Sequence, residues 1–215
     1  KYPFLTYFKN TILVVVAATM GNVMSSSITA FGFARIRFPG RDFLFVILIS
    51  TMMLPYQVKI IPLFQMYKTI GWLNSLWPLI VPAFFASASP FFVFLMRQFF
   101  LSIPEELADA ARIDGCGFVN IYLRIFLPLT KPAMVTVALF SFMDNWNDFF
   151  MPLIYINSNQ FKTLSLGLAG MTGQYVSDWH IIMAASVITV LPCVIIFLLA
   201  QRHFVEGIAL SGIKG

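Results

Sequence analysis

The sequence has 215 residues, of which 59% are hydrophobic and only 11% are charged, and its mean hydropathy is +0.84. Its 14 Lys and Arg and 9 Asp and Glu residues are too few to cover a soluble core of this size, which excludes an ordinary soluble domain. The net charge of +5 comes from basic residues scattered singly between long uncharged runs, which argues against a nucleic-acid-binding surface. The composition therefore indicates a protein embedded in a membrane.

Uncharged apolar runs predict an all-α fold, a polytopic bundle of about five membrane-spanning helices in one domain over residues 1–215. A helix needs about 20 residues to cross the roughly 30 Å of hydrocarbon in a bilayer. The predicted spans lie near residues 11–34, 43–58, 76–96, 133–155 and 181–200. No cleavable signal peptide precedes the first run, and we expect that native residues upstream of Lys1 are missing.

Two of these runs can span the bilayer only under a condition. The second run is short and contains Pro55, so it spans if the side chain of Lys59 extends to the interface. The fourth run contains Asp144 and Asp148, so it spans if these carboxylates lie inside the membrane.

The connecting segments differ in basic residues, which predicts the orientation, because cytoplasmic loops have an excess of Lys and Arg. One set of segments holds Arg35, Arg37, Arg41, Arg97, Arg112, Arg124, Lys131, Arg202 and Lys214. The opposite set holds Lys1, Lys9, Lys59, Lys68 and Lys162. We therefore expect the amino terminus outside and the carboxyl terminus in the cytoplasm.

Two segments are expected on the outer side. The segment from Ile60 to Ser75 predicts a short surface helix that ends in a turn at Gly71 and Asn74. The segment from 157 to 179, with spaced glycines among small polar residues, predicts an irregular loop near the outer mouth.

Residues 101–132 form the only long charged stretch, and we expect this loop to meet a partner in the cytoplasm. Ser102 and Glu105 form an S-x-x-E pattern, which predicts a helix start with a capping box. The helix is expected to continue to Asp114, with Gly115 as its left-handed C-cap.

A second short helix is predicted in the same loop, from residue 118 to residue 126, and Leu127-Pro128 is expected to end it. Its apolar face would attach the loop to the bundle and comprises Phe118, Ile121, Tyr122 and Ile125. The simplest alternative is a surface hairpin between two spans.

The order of residues in this loop resembles a known motif. Asp109-Ala110-Ala111 is followed after three residues by Gly115, and after nine more by Ile125-Phe126-Leu127-Pro128. This pattern resembles the EAA loop in the inner-membrane permeases of binding-protein-dependent ABC importers. Four further segments are similar to the carbohydrate-import branch that includes the maltose permease: Arg37-Phe38-Pro39-Gly40, Met53-Leu54-Pro55, Trp146-Asn147-Asp148 with Pro152, and Gly207 to Gly215. The resemblance covers essentially the whole chain.

The resemblance implies that the first short helix lies in a groove of a cytoplasmic ATPase subunit and passes its motion to the membrane helices. The implied coupling residues are Glu106, Asp109, Ala110, Ala111, Arg112, Asp114, Gly115, Leu127 and Pro128. The implied location of this chain is the bacterial inner membrane. Its implied partners are a second, non-identical permease, two cytoplasmic ATPase subunits and an extracytoplasmic solute-binding protein. Two features depart from the family: Asp109 stands where Glu is usual, and the family's first spanning helix has no counterpart.

A polar cluster lies near the middle of the fourth run and comprises Asp144, Asn145, Trp146, Asn147 and Asp148. A carboxylate at the centre of a membrane helix costs about 2.5–3.5 kcal/mol, so the cluster should face a cavity or a partner. One interpretation is a translocation path, in which Trp146 stacks on a sugar ring and Asn147 or Asp148 bonds its hydroxyls. The other is hydrogen bonding between helices that holds the bundle together. The residues alone leave both open.

No cofactor is expected on this chain. Gly207 and Gly212 have the spacing of two phosphate-loop glycines, but Ile213 follows instead of Lys, so ATP is expected on the partner subunit. His180 and His203 each lack a second ligand at metal spacing, so no metal site is predicted.

We therefore expect a non-enzymatic permease subunit of an ATP-driven importer, for a sugar or a sugar derivative, that works by alternating access. The alternatives are an ABC importer for another solute, a secondary carrier that binds a coupling ion at Asp144 or Asp148, and an intramembrane enzyme that uses these carboxylates. The carrier class predicts internal repeats, which the sequence does not show. Adjacent carboxylates on one helix match a catalytic pair poorly.

Overall fold

The computed structural model describes residues 3–85, 89–171 and 179–212, which are mostly helical, with no strand among them. The all-α fold class is confirmed. The α-helices are α1 (Phe4–Arg35), α2 (Arg41–Ser50), α3 (Tyr56–Thr69), α4 (Trp77–Ile80), α5 (Pro90–Ser102), α6 (Glu106–Ile113), α7 (Phe118–Ile121), α8 (Leu127–Leu129), α9 (Lys131–Asn147), α10 (Phe150–Tyr155), α11 (Leu164–Ala169) and α12 (Trp179–Gly212).

Helix α1 is a continuous helix of 32 residues that includes the first predicted span. At 1.5 Å per residue it is about 48 Å long, which exceeds the thickness of the hydrocarbon layer. On one side, Ala18, Ser26 and Ala30 are buried in the bundle, whereas Leu13 and Met20 are more than half exposed. The small buried residues let α5 and α9 pack closely against α1, as in other membrane bundles.

Within the described ranges, α1 alone is long and apolar enough to cross a membrane by itself. Two bent pairs of helical segments would each qualify if counted as one span, namely Arg41–Met53 with Tyr56–Thr69 and Phe118–Leu129 with Lys131–Asn147. Two further apolar segments are shorter, Pro90–Ser102 and Ile182–Leu198. The number of about five spans stays a prediction.

The second apolar run is bent instead of forming one straight helix. Helix α2 continues as a 3₁₀ turn, Thr51–Met53, and α3 then leaves at an angle of 99°. Leu54 is extended (ψ 112°), because the ring of Pro55 disfavours a helical residue before it. The run therefore does not continue as one straight helix through Lys59. The ammonium group of Lys59 lies 5.8 Å from the ring centre of Tyr56.

The predicted surface helix is present as α3, which starts somewhat earlier than expected, and the predicted turn follows it. Gly71 and Asn74 have positive φ angles of 73° and 56° in this turn. The side-chain oxygen of Asn74 accepts hydrogen bonds from the backbone N–H groups of Asn157 (3.1 Å) and Ser158 (2.8 Å). The turn is thus joined to the segment after α10, a contact that the sequence does not predict.

The third apolar run is interrupted. Helix α4 continues as a 3₁₀ turn, Val81–Phe84, which ends before α5 begins. The hydroxyl of Ser25 on α1 donates to the carbonyl oxygen of Ala83 at 2.9 Å. Gly21, also on α1, lies so close that an added Cβ would be 2.8 Å from the ring of Phe84. Helix α1 therefore supports this segment, in which the chain leaves the α-helical conformation. Within a membrane, such backbone must be buried against other parts of the protein.

The fourth apolar run is also divided. Helix α9 ends at Asn147, Asp148 is extended (ψ 117°), and α10 follows. The Oδ1 atom of Asp148 accepts a hydrogen bond from the N–H of Met151 at 3.2 Å and so satisfies one of the first N–H groups of α10. The expected irregular loop beyond α10 is partly helical, since it contains a 3₁₀ turn, Asn159–Phe161, and α11. Its residues 172–178 lie outside the described ranges.

Helix α12 includes the fifth predicted span, contains Pro192 and continues to Gly212. It packs on α9, where the backbone carbonyl of Thr189 accepts a hydrogen bond from the indole N–H of Trp146 at 3.0 Å. The hydroxyls of Ser186 and Thr189 each donate to a carbonyl one turn earlier at 2.8 Å. These polar side chains are therefore satisfied within the apolar segment Ile182–Leu198 of this helix.

Candidate functional site

The first helix of the loop 101–132, α6, begins at Glu106 without the predicted capping box. Ser102 is still part of α5, and its hydroxyl donates to the carbonyl oxygen of Phe99 at 2.8 Å. Glu105 occupies the N-cap position and makes no side-chain capping bond. The predicted capping box is wrong, because α5 continues farther than the local sequence pattern indicates.

The end of α6 agrees with the prediction. Gly115 has a φ angle of 80°, in the left-handed region. Its N–H donates to the carbonyl oxygen of Arg112 at 3.0 Å, and the N–H of Cys116 donates to that of Ala111 at 2.8 Å. These two bonds form a Schellman motif, in which a residue of positive φ reverses the chain at a helix end. Gly115 therefore determines the direction in which the chain leaves α6.

Helix α6 has one buried and one exposed face. Ala108 and Ala111 are 1% and 7% exposed and pack into a hydrophobic core with Phe100 and Phe126. Ile113 is 87% exposed. Ile113 is not among the predicted coupling residues. Of those in α6 and its turn, Ala111 is buried and the rest are exposed, namely Glu106, Asp109, Ala110, Arg112, Asp114 and Gly115. An exposed apolar side chain among these charges is a candidate contact with another protein.

An ion pair organises the exposed face of α6. The Oδ1 atom of Asp109 lies 2.6 Å from Nη1 of Arg112, one turn later. Asp109 is thus long enough to reach a basic partner, although Glu is usual at this position of the motif. Exposed pairs of this spacing contribute only about 0.3–0.5 kcal/mol, so the pair orients two charges more than it stabilises the fold.

The second arm of the loop is helical but less regular than predicted. Helix α7 is followed by a π-helical turn, Tyr122–Phe126, and by α8, so the helix continues through Leu127 and Pro128 instead of ending there. A proline in the first turn of a helical segment loses no hydrogen bond, which explains the continuation. The chain bends by 76° before α9, and Thr130 at the bend donates to the Phe126 carbonyl at 2.9 Å.

The apolar face of this second arm attaches the loop to the bundle, as predicted. Ile121 and Phe126 are 2% and 0% exposed, and Tyr122 and Ile125 pack against the same core. Phe118 differs from the prediction, because its side chain is 52% exposed. Of the two predicted coupling residues in this arm, Leu127 is half-buried and Pro128 is exposed.

Trp146, from the polar cluster of the fourth run, is 1% exposed within this chain. Its indole N–H donates to the carbonyl of Thr189 on α12. Its ring stacks on Phe142 with 5.4 Å between the centroids and meets the edge of Phe8 of α1 at 6.2 Å. Trp146 therefore contacts α1, α9 and α12 at once. This geometry favours the packing interpretation for Trp146.

Asn145 lies beside a second polar contact between helices, which Ser141 of α9 makes with Asn22 of α1. Its Nδ2 atom donates to the carbonyl oxygen of Ser141 at 2.6 Å, and the Ser141 hydroxyl accepts a hydrogen bond from Asn22 of α1 at 2.8 Å. Ser141 and Asn22 are only 0% and 7% exposed. Polar pairs of this kind hold membrane helices together.

Asp144, Asn147 and Asp148 form the accessible part of the cluster. Asp144 and Asn147 are exposed, and Asp148 is half-buried. The amide of Asn147 donates to the carbonyl oxygen of Met143 at 2.8 Å. Of the five predicted path residues, the structure thus buries Trp146 between helices. Asn145 and Asp148 are half-buried, and Asp144 and Asn147 are exposed.

No group of three or more His, Cys, Asp or Glu side chains in the described part of the chain is arranged to hold a metal ion. His180 is exposed, and the side chain of His203 lies outside the described part. The absence of a cofactor on this chain stays a prediction.

Residues 22–209 match the family model of the binding-protein-dependent transport system inner membrane component. The chain belongs to this family. It is therefore a permease subunit of an ABC importer in the inner membrane, and it is not an enzyme. Such a permease works with an ATPase and a substrate-binding protein. Family membership does not favour the secondary-carrier alternative.

Curated relatives align over nearly the whole permease. It is 35% identical over 212 residues to the arabinooligosaccharides transport system permease protein AraQ of Halalkalibacterium halodurans, covering 99% of this chain and 75% of that protein. It is 36% identical over 208 residues to the sn-glycerol-3-phosphate transport system permease protein UgpE of Salmonella typhi, covering 96% of this chain and 73% of that protein.

Solved structures share the fold of the permease. A chain of a bacterial ABC transporter involved in the import of the acidic polysaccharide alginate matches with a TM-score of 0.83 and 24% identity, over 94% of this chain and 75% of that chain. The inward-facing MetNI methionine ABC transporter matches with a TM-score of 0.69 and 15% identity, over 93% of each chain. The helical bundle is thus the fold of ABC importer permeases.

Proposed function

We propose that the permease imports a sugar or a sugar derivative by alternating access, powered by ATP that is bound and hydrolysed on partner subunits. The solutes in the names of the two relatives, arabinooligosaccharides and sn-glycerol 3-phosphate, support this class of solute. We further propose that the chain pairs with a second, non-identical permease, and that two ATPase subunits and an extracytoplasmic binding protein complete the importer.

The observation that best supports this function is the two-faced structure of α6. Ala108 and Ala111 seat the helix on the bundle, whereas Ile113 projects from it with 87% of its surface exposed. Full burial of an isoleucine side chain contributes about 1.5–3 kcal/mol, enough to help hold a short helix in a groove of a partner. A helix held on both sides passes a displacement of the partner to the bundle.

In this proposal the loop 101–132 lies in the cytoplasm, and α6 occupies a groove of an ATPase subunit. The small, exposed side chain of Ala110 allows close approach, and Gly115 lets the chain reverse outside the groove. The second arm connects this contact to α9 through the core around Phe126. The residues proposed to contact the ATPase or to position the contact are Glu106, Asp109, Ala110, Ala111, Arg112, Asp114, Gly115, Leu127 and Pro128.

The accessible part of the polar cluster is proposed to line the solute path. Asp144 and Asp148 can accept hydrogen bonds from sugar hydroxyls, and Asn147 can both donate and accept. Trp146 is proposed to hold α9 against α12, so that the path residues keep their positions. Asn145 is proposed to support the contact between Ser141 and Asn22 of α1 by its bond to Ser141.

Uptake by vesicles that contain the complete importer tests the transport function. We expect uptake of a saccharide or sugar phosphate that requires ATP and the binding protein and is blocked by vanadate. Uptake driven by an ion gradient without ATP would contradict the proposal and favour a secondary carrier.

Co-purification tests the docking of α6 separately. We expect Ile113→Glu to lower the amount of ATPase that co-purifies with the permease, because a charge replaces the exposed apolar contact. Ile113→Leu, the matched control, should retain it. Equal ATPase recovery with both variants would show that α6 is not the docking element.

A further inference from the structure

The helices that are covalently joined to the loop 101–132 do not extend straight through the bundle. Helix α5 begins at Pro90, after the 3₁₀ turn Val81–Phe84 has ended. Helix α9 meets the loop at a 76° bend and ends at Asn147. Helix α1 is remote from the loop in sequence, but it is continuous and contains no proline. The two helices that are covalently attached to the loop, of 13 and 17 residues, are therefore much shorter than α1, which has 32 residues.

One face of α1 contacts the second arm of the loop. Ser27, Phe31 and Arg35 follow one another at four-residue spacing and therefore share this face. The hydroxyls of Ser27 and Tyr122 are 2.9 Å apart. The ring centroids of Phe31 and Phe126 are 5.4 Å apart. These contacts attach the end of α1 to the second arm.

Arg35, the last residue of α1, contacts both the end of α5, where the loop begins, and the second arm of the loop. Its Nη2 atom donates to the backbone carbonyl oxygens of Phe100 and Ile103 at the end of α5, just before α6 begins at Glu106. Its guanidinium carbon also lies 4.8 Å from the ring centre of Phe126 in the second arm. In the described part of the chain, the Phe100 carbonyl otherwise accepts only a long bond of 3.4 Å from the N–H of Ile103, and Ile103 is the C-cap residue of α5. The cationic side chain therefore supplies donors to two carbonyls at the end of this helix.

The opposite end of α1 holds residues 159–169, which we call the distal segment. The amide of Asn10 donates to the carbonyl oxygen of Lys162 at 3.0 Å. The N–H of Leu164 donates to the hydroxyl oxygen of Thr11 at 2.8 Å. About 16 to 25 residues of helix, or roughly 24 to 38 Å, separate these contacts from the contacts at the loop.

We propose that Arg35 is the positioning residue that fastens the coupling loop, residues 101–132, to α1, and that α1 transmits displacement of the loop to the distal segment. The inference rests on the proposed docking of α6 to an ATPase subunit. Arginine suits this role because its planar guanidinium presents several N–H donors in a fixed fork. A lysine ammonium has no such fork and holds two carbonyls less rigidly.

The first test measures coupling in vesicles that contain the complete importer. We compare Arg35→Gln with Arg37→Gln, a matched control whose side chain is 85% exposed and pairs only with Glu105 at 3.4 Å. We expect uptake per ATP hydrolysed to fall about tenfold in Arg35→Gln, while ATPase subunits still co-purify, because charged hydrogen bonds are lost. The control should stay within about twofold, since exposed pairs contribute little. Equal coupling in the two variants would overturn the inference.

The second test observes the distal segment directly. With Cys116 and Cys193 replaced by serine, the exposed Asn159 is changed to cysteine and its maleimide labelling rate is measured with and without ATP. We expect ATP to change the rate in the parent importer and in Arg37→Gln, but not in Arg35→Gln. A purely structural role of Arg35 would leave the ATP response intact in every complex that assembles, and that result would overturn the inference.

A conservative variant decides the matter if Arg35→Gln does not assemble. Arg35→Lys keeps the charge and should assemble, with uptake per ATP hydrolysed lowered about threefold through loss of the fork. Parental coupling in Arg35→Lys would then overturn the inference. Failure of the unmodified permease to bind an ATPase would instead refute the proposed function.

Discussion

Replacement of Gly115 should uncouple ATP hydrolysis from transport without unfolding the permease. Gly115 has a φ angle of 80° and closes the Schellman motif at the end of α6. No atom of the described residues lies within 4 Å of the position that a Cβ would occupy there. A side chain at this position therefore meets no neighbour, and its cost lies in the backbone conformation alone.

The size of this cost follows from the backbone. The left-handed conformation costs an L-residue roughly 1–2 kcal/mol, and a β-branched residue more. A cost of this size changes the ratio of correctly to wrongly placed α6 by a factor of about 5–30. Gly115→Asn should impair the coupling of ATP hydrolysis to transport least, because Asn tolerates left-handed φ. Gly115→Ala and Gly115→Val should impair it progressively more.

Gly117 offers a matched control two residues later. Its φ angle is −74°, and a Cβ there would also meet no atom within 4 Å. Co-purified ATPase, ATP hydrolysis and solute uptake should be measured for both glycines. We expect Gly115→Val to lose ATPase subunits or to hydrolyse ATP without uptake, and Gly117→Val to remain near the parent. Equal losses at both positions would refute the conformational argument, and parental values for Gly115→Val would exclude this turn from coupling.

Three further predictions concern packing and the solute path. Gly167→Ala should lower the thermal unfolding temperature in detergent, because the added Cβ would lie 2.2 Å from Cδ2 of Tyr7 and overpack the core. Gly32→Ala is the control, since its Cβ would meet nothing within 4 Å. Similar unfolding temperatures for the two variants would contradict this prediction. Trp146→Ala should reduce the yield of folded permease, through a core loss of about 3–5 kcal/mol, and a normal yield with impaired uptake would instead favour a path role. Asp148→Asn keeps an oxygen that accepts the hydrogen bond from the N–H of Met151 but removes the charge. The yield of folded permease should therefore be normal and solute uptake lowered. Unchanged solute uptake would exclude this carboxylate from the path.

Composition and local spacing were sufficient to predict the membrane class, the first span and the turn at Gly115. Transfer of an apolar run from water to lipid depends on the residues of that run alone, and α1 accordingly includes the whole of its predicted span. A glycine after a short polar helix is likewise a local signal, because few other residues adopt positive φ. The family motif added the expected role of the loop, since its residues are close together in sequence.

The interruptions of the apolar runs could not be placed from hydropathy. Hydropathy sums over a window and carries no information about the direction of the chain, so the 99° bend near Pro55 and the division at Asp148 have no distinct signal. Backbone that leaves the α-helical conformation inside a membrane also needs partners from other parts of the chain, as the hydroxyl of Ser25 provides for the carbonyl of Ala83. The capping pattern at Ser102 failed for a related reason, because its outcome depends on where α5 ends.

The roles of individual polar side chains were decided by tertiary structure. Trp146 and Asp148 are neighbours in one polar sequence cluster, yet the first is buried between three helices and the second remains partly accessible. Arg35 has the sequence context of an ordinary positive loop residue, and only the folded chain brings it to the carbonyls of Phe100 and Ile103. The sequence by itself therefore determined what can lie in the membrane and where α6 ends, because those free energies are local. The tertiary structure decided which side chains pack between helices, face the proposed solute path or connect the loop to α1. These roles depend on contacts between residues far apart in the chain, which exist only after the helices have assembled.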